Sequence, residues 1–148
     1  MSNPPDDKRQ IIVERHFACS PDKLWRVLTE RHLIADWLMP NDFEPKLGHR
    51  FSLEAPWGEV CAEVLILEPQ RKLAYSWNTK DLESIVTWVL VPTESGTVLR
   101  MEQVGFSTRQ ESYYQGALAA WPRFLSLLER IIDRIETAEQ LHSGEKKR

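Results

Sequence analysis

Cysteine is scarce in this chain of 148 residues: Cys19 and Cys61 are the only two. So few thiols, so far apart, neither frame a disulfide scaffold nor supply a zinc site. Six glycines without a Gly-x-Gly-x-x-Gly or Gly-Lys-Ser/Thr arrangement leave no common phosphate-cradling loop. His16, His32, His49 and His142 stand at unrelated spacings, so no metal site is expected. No run of about 18 apolar residues exists to cross a bilayer. Met1 to Asp7 is polar and carries prolines, without the apolar run of a signal peptide, so a cytoplasmic protein is expected. The formal charge of −3 is spread along the chain, with no basic block beyond Lys146 to Arg148, which speaks against a nucleic-acid partner.

What the chain has in plenty is tryptophan, six in all. An indole brings a large apolar surface and one N–H, which suits a cavity wall as well as a packed core. The length is that of one domain able to bury roughly two-thirds of its unfolded surface. We expect a single domain over residues 10–141, between flexible ends at 1–9 and 142–148.

Alternation marks Gln10 to Ala18 as a strand with Ile11, Val13, Arg15 and Phe17 on one face. Ser20-Pro21-Asp22 then opens a helix: Ser20 can cap it, Pro21 fits the first helical position, and Asp22 sits near the positive end of the dipole. A second short helix carries Leu33, Ile34, Trp37 and Leu38 and breaks at Pro40-Asn41. From Arg50 the pattern becomes short runs divided by turn residues, the mark of an antiparallel meander of five strands. Its second strand, Glu59 to Leu67, should face Val60, Ala62, Val64 and Ile66 one way. From Gln110 to about Leu141, apolar residues at steps of three and four (Leu118, Trp121, Leu125, Leu128, Ile132, Ile135) predict a long amphipathic helix, with Arg123 on the opposite side and a stop at Ser143-Gly144. Pro122 lies inside it, where it removes one hydrogen bond and is expected to kink the helix.

The order strand, two short helices, five strands, long helix resembles the helix-grip fold of the START-like (SRPBCC) superfamily. Within it, Ser20-Pro21-Asp22-Lys23-Leu24-Trp25-Arg26-Val27-Leu28-Thr29, Trp37, the Gly96-Thr97 turn and Ala120-Trp121-Pro122-Arg123-Phe124-Leu125 resemble the family named for the activator of heat-shock protein 90 ATPase. That family often has glycine where Ala120 stands and a second tryptophan near Trp37. The resemblance implies an α+β fold, a six-stranded curved antiparallel sheet around the long C-terminal helix.

If the sheet curves round that helix, Trp37, Phe51, Tyr75, Trp77, Trp88, Met101, Trp121 and Phe124 face the gap between them. Their rings would either fill a core or wall a cavity of a few hundred Å³, with the Tyr75 hydroxyl and indole N–H groups orienting a guest. Three readings follow. The first is non-catalytic binding of a small hydrophobic molecule of few charges, with no cofactor and no metal. The second is a protein-interaction module of the co-chaperone, stress-response kind, with a filled core. The third is an enzyme acting on a hydrophobic molecule, for which Asp36 and Glu54 are the carboxylates placed nearest the mouth. A monomer, or a homodimer paired through the edge of the first strand, fits any of them.

Overall fold

The computed structural model describes residues 8–107 and 109–146. Strand β1 (Lys8–Phe17) leads into α1 (Pro21–Thr29) and α2 (Arg31–Trp37). Strands β2 (Arg50–Ala55), β3 (Gly58–Glu68), β4 (Lys72–Asn78), β5 (Glu83–Thr93) and β6 (Gly96–Ser107) follow, and α3 (Glu111–Lys146) closes the chain. The strands form one antiparallel curved sheet in the order β1-β6-β5-β4-β3-β2, so β1 and β2 are its edges. Each connection from β2 to β6 joins neighbours, and only β1 must cross over to pair with β6.

Helix α1 starts as its sequence requires. The Ser20 hydroxyl accepts the Lys23 backbone N–H at 3.3 Å, and Leu24, Val27 and Leu28 are buried on one face. Replacing Ser20 by alanine leaves that N–H without its cap and should cost about 1 kcal/mol, read as a lower urea midpoint at unchanged slope. Glu30 ends α1 and begins α2. The Trp37 indole donates to the Val27 carbonyl at 2.9 Å and ties the two helices together.

Within the sheet, alternation sends Val86, Trp88 and Leu90 of β5 and Leu99 and Met101 of β6 into the core. Ile85 and Val91 face outward. In β3, Val60, Ala62 and Val64 point inward as expected, but Ile66 does not continue the row. The register against β4 shifts between Val64 and Ile66, and Leu67 packs against the core instead. One extra residue in a strand reverses which side chains face each side.

Helix α3 spans 36 residues, about 54 Å at 1.5 Å per residue. Trp121, Leu125, Leu128, Ile131 and Ile132 are buried against the sheet, with Tyr114, Ala117, Phe124 and Ile135 partly so. Leu118, expected in the stripe, is instead 39% exposed, because the row running back from Trp121 passes through Ala117 and Tyr114. The helix is continuous through Pro122 and past Ser143-Gly144, the pair expected to stop it. Pro122 and Leu118 are both on the exposed side, where water can serve the Leu118 carbonyl that a proline N–H would have bonded. Polar contacts anchor the helix: Arg9 pairs with Glu111 and lies 4.2 Å over the Tyr114 ring, and Lys23 reaches Glu136 at 3.4 Å and Glu139 at 2.6 Å. Arg15, on the helix-facing side of β1, donates to the Ser126 hydroxyl at 3.3 Å.

Candidate functional site

Between the sheet and the first half of α3 lies a cavity of about 540 Å³. It exists because α3 is small there: Gly116, Ala117 and Ala120 face it, flanked by Tyr113 on one side and Trp121, Arg123 and Phe124 on the other. The sheet side contributes Trp77, Gln103 and Phe106, and the β4–β5 connection adds Thr79 and Leu82. Met39, just past α2, Trp57, at the tip of the β2–β3 hairpin, and Ser112, in the first turn of α3, complete the wall. Trp57 is 65% exposed, so it stands at the opening rather than the floor.

Of the eight side chains expected to face the gap, Trp77, Trp121 and Phe124 line this cavity. The other five lie elsewhere. Trp37, Trp88 and Met101 are wholly buried in the core, with Trp37 and Trp88 edge to face at 5.7 Å and Trp88 and Trp121 at 5.6 Å. Phe51 and Tyr75 form a separate aromatic cluster with Phe43 under β2, at ring separations of 5.0 to 6.5 Å. The packing of one domain needs large rings as filler, and most of these serve that need.

The polar tips are mostly spent inside the protein. The Trp88 indole donates to the Tyr75 hydroxyl at 2.9 Å, and burial pushes that phenol well above its ordinary pKa. Neither group is left to orient a guest. The Trp121 indole donates to Gln103 Oε1 at 2.8 Å, the Gln103 amide donates to Ser84 Oγ at 3.0 Å, and Ser84 donates to the Trp77 carbonyl at 2.7 Å. This relay holds the floor of the cavity rigid, since every buried polar group in it is paired. Trp77 differs: among the described residues its indole N–H has no partner, and its ring stacks at a tilt on Trp121, 5.4 Å away.

Asp36 and Glu54 do not line the cavity. Asp36 pairs with Arg134 of α3 at 3.5 Å, and Glu54 is exposed on the far side of β2. Among the described residues no three His, Cys, Asp or Glu side chains come together as a metal site would need. Cys19 is buried beneath α1, its thiol pushed up to about 11 by desolvation first and by Glu136 second, and Cys61 is exposed on β3. Sequence reasoning missed Gln103, Arg123, Trp57, Thr79 and Leu82. Gln103 continues the inward row Leu99, Met101, and the spacing of Tyr113, Gly116, Ala120 and Arg123 at three, four and three is a helical row that signalled a second face of α3.

A curved antiparallel sheet gripping one long helix, with a cavity between them, defines the helix-grip class of α+β proteins. Residues 18–133 match the model of the family described as Activator of Hsp90 ATPase homolog 1-like protein, and the chain belongs to that family. Among solved structures, it is similar to protein MLL2253 of Mesorhizobium loti, at 49% identity and a TM-score of 0.83 over 85% of this chain and 98% of that one. It also resembles protein BH1534 of Bacillus halodurans, at 24% identity and a TM-score of 0.75 over 84% of this chain and 96% of that one. CalU16 of Micromonospora echinospora shares the fold at 24% identity and a TM-score of 0.74, over 84% of this chain and 74% of that one. A search of curated proteins returns no match. No described helix is long and apolar enough to cross a membrane.

Proposed function

We propose that this protein binds a small, largely apolar molecule in the cavity between the sheet and α3, without catalysing a reaction on it, and that it works in the cytoplasm, where two unpaired thiols are stable. The observation that carries the reading is the cavity itself. A volume of about 540 Å³, walled by Trp77, Phe106, Trp121 and Phe124, persists beside a core in which the neighbouring rings are wholly buried. Close packing is the rule in protein interiors, and a roomy aromatic-walled space with few polar groups is the usual form of a small-molecule site. The wall's chemistry supports binding over catalysis, since none of its described side chains is a carboxylate, an imidazole or a thiol.

Native mass spectrometry of protein purified gently from its own cells tests this. A small adduct should be present and should vanish on denaturation. In Ala120→Trp, which places an indole in the cavity, the adduct should be lost while the thermal midpoint stays within a few degrees. A bare mass in the unaltered protein, together with no uptake of an added apolar probe, would sink the proposal.

A second reading, an interaction module, is favoured by apolar side chains exposed along the β2–β3 edge of the sheet, Trp57 at the hairpin tip and Leu47 and Leu65 toward its other end. Apolar side chains exposed on such an edge can mark a protein contact. A complex of defined stoichiometry with an Hsp90-type chaperone, weakened by Trp57→Ala, would favour it over the carrier.

A further inference from the structure

Resting on the reading of the cavity as a binding site, we infer that its guest is an amphipathic anion: an apolar body with one acidic head held at Arg123. The inference comes from which polar groups on the wall remain uncommitted. Gln103 is spent at both ends, on Trp121 and Ser84, and the Tyr113 hydroxyl donates to the Asp81 carboxylate at 3.1 Å. Besides the hydroxyls of Ser112 and Thr79, the latter buried without a partner among the described residues, two N–H donors are left. The Trp77 N–H lies on the sheet side with no partner among the described residues, and Arg123, on α3, enters no ion pair among them. Arg134, further along the same helix, does pair, with Asp36.

The wall thus carries one cation, one spare indole donor, the unpartnered Thr79 hydroxyl and no anion among its described residues. A hydrocarbon guest would give the Trp77 N–H no acceptor and would leave the attraction of the Arg123 guanidinium unused. A guest ending in a carboxylate or a similar oxyanion satisfies Arg123 by a charge-assisted, two-pronged hydrogen bond, while its apolar body lies on Trp121, Phe124 and Phe106. Arg123 is exposed, so the head stays near solvent and avoids full desolvation of the charge.

The test compares three probes of equal chain length: decanoate, decanol and decyltrimethylammonium. Dissociation constants are read by calorimetry, and the site is identified by the Trp77 indole N–H resonance, assigned with Trp77→Phe. In the unaltered protein decanoate should bind about tenfold tighter than decanol, and the cation weakest of all. In Arg123→Gln, the preference for decanoate over decanol should shrink to within about twofold, with the thermal midpoint little changed. If decanol matches decanoate in the unaltered protein, or the preference survives in Arg123→Gln, while the probes still shift the Trp77 signal, the anion inference is overturned and the cavity remains a binding site. If none of the three shifts that signal, the binding reading fails along with it.

Discussion

Trp121→Ala should lower the unfolding free energy by about 3–5 kcal/mol, the largest effect expected of any single truncation in α3. The ring is 2% exposed and touches Trp77, Trp88 and Phe124 at centroid separations of 5.4 to 5.6 Å, so its removal leaves three aromatic neighbours facing a void. It also strands Gln103 Oε1, which accepts the indole N–H in a buried position. Trp121→Phe separates the two contributions: it keeps most of the ring but not the donor and should cost about 1–3 kcal/mol. Urea titrations followed by circular dichroism give both values at an unchanged slope. A loss under about 1 kcal/mol for the alanine variant would show that the helix is not seated on the sheet through this ring.

Gly96→Ala is the second large effect, at about 2–4 kcal/mol, and its cause lies in the backbone. Gly96 faces Thr93 across the β5–β6 hairpin at φ +152°, a conformation that side chains strain to adopt. A Cβ there would be driven into the Phe17 carbonyl oxygen and come within 3.0 Å of the Ala18 Cα, both on the main chain at the end of β1. No rotamer change relieves such a clash, so the end of β1 must move away from β6. Gly58, at φ +150° in the β2–β3 hairpin with nothing within 4 Å, is the control. Gly58→Ala meets the same strain without the clash and should cost clearly less. Equal losses at the two positions would mean that contact with β1 contributes nothing.

Much of this fold was legible in the sequence because its signals are local. The Ser20-Pro21-Asp22 cap, the alternation of β5 and β6 and the spacing from Trp121 to Ile132 each follow from the period of one element. Where reading failed, the reason was a contact with something distant in sequence. The β3 bulge that replaces Ile66 by Leu67 is set by pairing with β4, and Leu118 turns outward because α3 meets the sheet along the row through Ala117 and Tyr114.

The candidate site shows the same division. That Trp77, Trp121 and Phe124 face inward follows from their periods, whereas the α+β helix-grip arrangement came from the order of the elements and the resemblance it carries. Which inward rings pack as filler and which border empty space depends on how far apart the helix and sheet stand. The gap stays open at Gly116, Ala117 and Ala120, whose small or missing side chains leave it unfilled opposite residues remote in the chain. The tertiary structure alone also spends the indole donors of Trp88 and Trp121 on Tyr75 and Gln103 and leaves that of Trp77 unpartnered among the described residues. Periodicity records which way a side chain points, whereas a cavity and its free donors are properties of surfaces brought together by folding.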